Sequence, residues 1–404
     1  MEERCQEHEV IGMDAHSRKL ALCHMRKVGD RIVKIQTVAT TLDALETTYA
    51  RQMPAGTLTV LEASTNSFSI VRRLGEIGFP AKVLSSDVLS GLSRQDRVND
   101  RIDAENLARI YLRQGPELRA VFTPSMHGVE MRETYFAYRD AKKDMTRAAN
   151  RIWSFCSRQG LDVDKRIGKR RCAELLGEAE ARGWGEAVLE RAKGLVNDWE
   201  RAYDTCRARE KAIERAVFDS DAMRRLQQVP GVRFIGAFAL VAFVEDVRRF
   251  DNPKKLVSFI GLNPTVSESG EKDGRRSVSK FGRSDLKSIF VEAAQSAMRT
   301  DNGMTKWARH LLAKGKDWNV VMVALARKLV VLCWHILMGH PAPDRERQSA
   351  TASKLSLLAQ RVGKDAVKAA NYESGAEFVA RTCSMLYCHL PEETVEEVAV
   401  CDTA

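Results

Sequence analysis

The sequence predicts an α/β domain followed by mostly helical segments, a fold class of α/β plus α. Three observations carry this. Residues 9–39 alternate short apolar runs with polar turns, residues 42–113 alternate helical and strand-like periodicity, and from about 127 the strand signal disappears. The chain has 404 residues, more than one ordinary domain, and 44% of them are hydrophobic, enough to build more than one core.

Taken in order, EVIGMD, KLALCHM and RIVKIQTVA read as three strands separated by the polar turns AHSR and KVGD, which makes an antiparallel meander. Then follow a helix (TLDALETTYARQ), a strand (TLTVLEA, 57–63), a helix (SFSIVRRLGEIG), a strand (AKVLSS, 81–86) and a helix near 101–113. Strands alternating with helices imply parallel pairing. The order βββαβαβα is that of the ribonuclease-H-like fold. Two long helical stretches, 127–159 and 186–218, flank a Gly-containing segment and read as a helical hairpin. LQQVPG at 226–231 places a Pro-Gly turn before a second, mostly helical domain. The expected division is therefore 1–125, 126–220, 221–345 and a variable helical tail, 346–404, whose acidic end PEETVEEVAVCDTA is expected to be disordered.

A formal net charge of +10 favours a polyanionic partner, because Lys and Arg that neutralise phosphates release condensed counterions. Between 139 and 171 there are eleven Lys or Arg against four Asp or Glu, a stretch read as nucleic-acid contact against the plainer reading of a solvated helix face. MEERCQEHEV carries charge where an export signal needs an apolar run. LVVLCWHILM at 329–338 is about half a membrane span and reads as a buried helix, so no membrane is expected. Nine cysteines without a CxxC pair read as reduced thiols of a cytosol.

The chemistry-bearing residues are carboxylates. Asp14 ends the first strand in VIGMDAH, Glu62 ends a later strand in TVLEAS, and Asp100 and Asp103 stand three apart where a helix begins in RVNDRIDAENLA. Singly, each is an ordinary turn former or helix cap. Together, acids at adjacent strand ends and on a helix packed across the sheet can converge, and such a cluster calls for cations. Hard oxygen ligands suit Mg2+ or Mn2+. Two such ions can clamp the attacking and leaving oxygens of a phosphodiester.

These blocks resemble the three acidic blocks of the DEDD transposases of bacterial insertion sequences, the IS110 group of RNA-guided bridge recombinases, which also includes the Piv DNA invertase. That resemblance implies a RuvC-like amino-terminal domain with Asp14, Glu62, Asp100 and Asp103 as the metal-binding catalytic acids. The family's second signature is also present, in LQQVPGV, DVRRFDNPKKLVSFIGLNP and TVSESGEKDGRRSVSKFGRSDLKSIFVEAA, so the resemblance covers roughly 8–340. It departs at FGRSDLKSIF, where family members more often carry Gly-Asn and then Leu-Arg. Ser269, followed by Gly270, occupies the position of the family's nucleophilic serine, with Lys272, Arg275, Arg276, Lys280 and Arg283 as neighbouring cations for nucleic acid. The residues alone read serines in a Gly-rich loop as turn formers and do not separate Ser267 from Ser269; Ser277 and Ser279 are also close.

The resemblance further implies double-stranded donor and target DNA, a structured guide RNA, and a dimer that pairs into a tetramer, with the acids of one protomer completed by the serine of another. The expected activity is transposition or site-specific recombination through a phosphoserine intermediate. Two alternatives stand beside it: a RuvC-like structure-specific nuclease in which water attacks, and a non-catalytic nucleic-acid-binding protein. His16 reads as an exposed turn residue. Cys383, Cys388 and His389 lack a clear fourth ligand and read as structural, and Trp153, Phe155, Trp184 and Trp199 read as helical core.

Overall fold

Strands β1 (His8–Ala15), β2 (Lys19–Val28) and β3 (Arg31–Thr41) form an antiparallel meander, as their alternating apolar runs and tight turns dictate. The computed structural model describes residues 8–85, 100–115, 118, 120–161, 167–265, 277–278, 282–340 and 348–388. The chain divides into two compact units, Met1–Ser125 and Met126–Ala404.

In the first unit the chain continues through α1 (Leu45–Gln52), β4 (Leu58–Glu62), α2 (Ser67–Glu76), β5 (Ala81–Leu84), α3 (Asp100–Gln114) and β6 (Ala120–Val121). The sheet order is β3-β2-β1-β4-β5-β6, with β1, β4 and β5 parallel and β6 antiparallel to β5. Strand β6 is an addition to the expected order; two residues are too few to leave a periodic signal. Successive side chains of β1 go to opposite faces. Ile11 and Met13 join Leu61 and Val83 against Leu45 and Tyr49 of α1 and Ile70 and Leu74 of α2, whereas Val10 joins Val60 and Leu84 against Ala104, Leu107 and Ala108 of α3. Both faces are thus covered, which is why β1 and β4 read as nearly continuous apolar runs. Each fully buried aliphatic side chain here contributes about 1.5–3 kcal/mol relative to exposure.

The second unit opens with the hairpin of α4 (Met126–Arg158) and α6 (Glu186–Asp219). Helix α5 (Lys169–Ala181) lies in the connection expected only as a Gly-containing segment. Its buried Cys172, Leu175 and Ala179 repeat at helical spacing, but Gly168 before it and Gly177 within it weaken that signal. Phe155 and Trp199 are buried in a small core between these helices, with Trp153 and Trp184 packed against it.

A larger core gathers α7 (Asp221–Arg225), α8 (Phe234–Val244), α9 (Pro253–Ile260), α10 (Ser284–Ala297), α11 (Gly303–Ala313), α12 (Trp318–Leu337), α13 (Gln348–Val362), α14 (Lys364–Ala369) and α15 (Gly375–Tyr387). Helix α8, FIGAFALVAFV, is apolar on all sides because other helices surround it. Helix α12 is long and apolar enough to cross a membrane, yet Val321, Leu325, Leu329 and Cys333 are buried in this core. Residues 348–388 are integral to the same core through Leu355, Leu358 and Phe378, and the acidic end expected to be disordered lies outside the described residues.

Candidate active site

The parallel ladder of β1 and β4 ends at Met13 opposite Leu61. Asp14 and Glu62 stand one step beyond, on strands about 4.8 Å apart. By the two-residue alternation both fall on the α3 face, Asp14 two residues after Gly12 and Glu62 two after Val60. Gly12 sets the depth of α3: a Cβ there would lie 1.9 Å from the Ala104 carbonyl oxygen and 2.8 Å from the Ala108 nitrogen. The helix backbone is therefore pressed directly on β1. Across the sheet, Lys34 Nζ donates to Glu105 Oε2 at 2.6 Å and Arg109 Nη2 to Glu105 Oε1 at 2.7 Å, and the Lys34 bond holds the Glu105 carboxyl below the ordinary range.

Asp100 begins α3 one turn before Ala104, and half-buried Asp103 stands one turn before Leu107, so both positions belong to the stripe that faces the sheet. The Asp100 side chain lies outside the described residues. Asp14 Oδ2 is 3.3 Å from His16 Nε2, and the imidazole is 58% exposed, consistent with a turn residue. Among the described residues, no three His, Cys, Asp or Glu side chains are grouped closely enough to hold an ion.

Asn66 ties the two strand ends together. Its Nδ2 donates to the His16 carbonyl at 2.9 Å, while Ser64 Oγ donates to Asn66 Oδ1 at 3.0 Å and Ser67 Oγ to the Ser64 carbonyl at 2.9 Å. The polar run STNS after Glu62 carried this signal, since Ser and Asn before a helix bond locally to backbone. Gly12 was equally visible: a lone Gly inside a strand marks close backbone approach.

In the second unit the serine loop springs from a short hairpin, β7 (Pro264–Thr265) and β8 (Ser277–Val278), paired Pro264 to Val278 and Thr265 to Ser277. Ser267, Ser269, Ser279, Lys272, Arg275, Arg276 and Lys280 lie outside the described residues. The base of the loop is pinched shut. Gly261 caps α9 at φ 82°, and a Cβ on Gly282, itself at φ +100°, would lie 2.5 Å from Gly261 Cα. Arg283 is the described member of the cationic set. Its guanidinium stands 4.0 Å over the Phe243 ring and 3.3 Å from Asp285, and burial pulls its pKa down.

Two further arginines hold the α8 terminus. Arg132 Nε donates to the Ala242 carbonyl at 3.0 Å and Arg249 Nε to that of Val244 at 3.0 Å, satisfying carbonyls that a helix end leaves without partners. Arg249 also stacks 4.3 Å over Phe250, which explains the RF pair physically; burial pushes its pKa down to about 10. In the basic stretch, Arg147 lies 3.0 Å from Asp144, Arg151 3.7 Å from Asp198 and Arg171 3.0 Å from Glu178, so much of its charge is already met by carboxylates.

Known proteins match in the same two regions. Residues 11–157 match the model of the DEDD transposases of the IS110 type, and residues 223–309 match the model described as Transposase IS116/IS110/IS902 family. The chain is 24% identical over 349 residues to a transposase for insertion sequence element IS1111A from Coxiella burnetii, covering 81% of this chain and 89% of that protein. It is 23% identical over 283 residues to the transposase for IS1328 of Yersinia enterocolitica, covering 69% and 82%. A putative transposase of Sinorhizobium fredii, y4pF/y4sB, is 26% identical over 310 residues, covering 73% and 77%. By class the protein is a transposase, an enzyme that processes DNA. It belongs to the IS110 family of insertion-sequence transposases.

Proposed function

We propose that this transposase cuts and rejoins DNA through a phosphoserine intermediate, with acids on a RuvC-like, ribonuclease-H-like domain and a serine on the helical unit. The observation that carries this reading is the placement of Asp14 and Glu62 at neighbouring strand ends, on the face where α3 is seated against Gly12. With Asp100 and Asp103 they form an all-carboxylate donor set, which fits Mg2+ or Mn2+. When bound, such ions neutralise developing charge on the phosphodiester oxygens.

Ser269 Oγ attacks phosphorus, one P–O bond to DNA breaks, and the leaving DNA oxygen takes the proton. A second DNA hydroxyl then attacks the phosphoserine, forming the new strand and returning the proton to serine. No bond energy is lost to water, so rejoining needs no nucleotide cofactor. Lys272, Arg275, Arg276, Lys280 and Arg283 orient the phosphates. As the resemblance to this family implies, one protomer's acids act with another's serine in a dimer that pairs into a tetramer. A structured RNA guides the choice of donor and target DNA, and the protein works in the cytoplasm at the nucleoid. The working division is 1–125, 126–220 and 221–345, with 348–388 packed into the core of the last.

Replacing any one of Asp14, Glu62, Asp100 or Asp103 by Ala should abolish DNA cleavage while shifting stability by no more than about 1 kcal/mol. Cleavage by the quadruple variant at the parental rate, or undiminished cleavage in excess chelator, would overturn the reading.

A further inference from the structure

A pocket of about 700 Å³ opens between α9, α11 and α12, at the root of the serine hairpin. The volume lies within the range of ordinary ligand sites. Its wall is apolar, with Val257, Met304 and Val331, and Trp307 stands half-exposed in it. Its rim is cationic: Lys254, Arg327 and Lys328 line it, and none of the lining side chains among the described residues is acidic. Lys254 and Arg327 form no ion pair with a carboxylate among the described residues. Lys328 Nζ lies 4.5 Å over the Trp307 ring, which steadies the indole and keeps a positive charge beside it. On α12, Ala324, Arg327, Lys328, Val331 and His335 recur at three- and four-residue spacing, so a single helix face supplies both wall and charge.

An apolar cleft with an indole in its wall and three cations around its mouth suits one kind of occupant: a flat, uncharged ring joined to a phosphate. We propose that this pocket holds a single unpaired nucleotide of a nucleic-acid strand, its base against Trp307 and its phosphates on Lys254, Arg327 and Lys328. A base in a duplex is stacked on both sides and cannot enter; an unstacked base can. Asn263 lines the pocket and immediately precedes β7, so the held nucleotide lies beside the stem that carries the serine loop. The inference deepens the proposed recombinase reading and rests on it: holding one flanking nucleotide would fix the strand next to the serine loop.

The test uses the full-length protein and two probes, dye-labelled oligodeoxythymidylate and oligouridylate of equal length, titrated at several salt concentrations with a duplex in parallel. Trp307→Leu should weaken binding of a single strand by roughly ten-fold or more, with Trp307→Phe restoring part of it. Lys254→Gln, Arg327→Gln and Lys328→Gln together should lower the salt slope for a single strand by about two units. Duplex binding should change little in the Trp307 variants. The strand whose affinity falls, DNA or RNA, identifies the source of the nucleotide. Because Lys254 and Lys328 are exposed, the charge variants test the pocket even if Trp307→Leu fails to fold. Parental protein that binds strands while all pocket variants bind them equally well would overturn the pocket alone. Parental protein that binds no nucleic acid would overturn the recombinase reading as well.

Discussion

Gly12 and Ala104 stand in backbone contact: a side chain at Gly12 would begin 1.9 Å from the Ala104 carbonyl oxygen. Two residues beyond Gly12 comes Asp14, and α3 begins one turn before Ala104 with Asp100. The closeness of strand and helix is therefore the device that sets the spacing between the β1 acid and the α3 acids.

Gly12→Ala should consequently damage cleavage more than stability. The extra methyl must push α3 outward, an overpacking cost of about 1–3 kcal/mol, and the displaced helix carries Asp100 and Asp103 with it. Thermal unfolding and cleavage are measured on the same preparation. A variant with the parental unfolding midpoint and parental cleavage would show that the contact is not needed.

Asn66→Ala removes the bond to the His16 carbonyl, worth about 0.5–1.5 kcal/mol of stability. The turn after β1 and the turn after β4 then lose their link, and the account expects a disproportionate fall in cleavage, recovered in part by Asn66→Gln. An equal fall in the rates of Asn66→Ala and an unrelated surface variant of matched stability would count against a positioning role.

Lys354 on α13 reaches back to the Pro-Gly turn, donating from Nζ to the carbonyls of Gln227, Val229 and Val232 at 2.7, 2.8 and 2.8 Å. Lys354→Met should leave those carbonyls short of a donor at a cost of about 2–4 kcal/mol. Chemical denaturation reads this directly. A midpoint unchanged by the substitution would mean the turn finds other donors.

Much of the first unit was legible because its signals are local. Short apolar runs in VIGMD and TVLEA located β1 and β4, and the acids at their ends followed from strand boundaries. Helix α3, expected near 101–113, runs Asp100–Gln114. The pinching of Gly261 against Gly282 was not legible, because it joins residues on the two sides of a loop and leaves no periodicity. The role of Arg249 was hidden for a related reason: its partners are main-chain carbonyls of α8, which no residue type announces. The partners of the basic stretch were not legible, since counting charges from 139 to 171 omitted the acids that α6 brings alongside, such as Asp198 opposite Arg151. Asp198 lies outside that window. Helix α13 looked like a tail only because nothing local says that Leu355 and Leu358 complete a core built mainly from residues 213–337.

The most direct test of the account is the covalent link to serine. The reaction on a DNA substrate is stopped with denaturant, protein-bound DNA is separated by electrophoresis, and the linked peptide is mapped by mass spectrometry. The account predicts a phosphodiester adduct on Ser269, absent from Ser269→Ala, which still binds nucleic acid but exchanges no strands, and present in Ser267→Ala. Free 5′- or 3′-phosphate ends with no adduct, or an adduct that maps to Ser267, would contradict it.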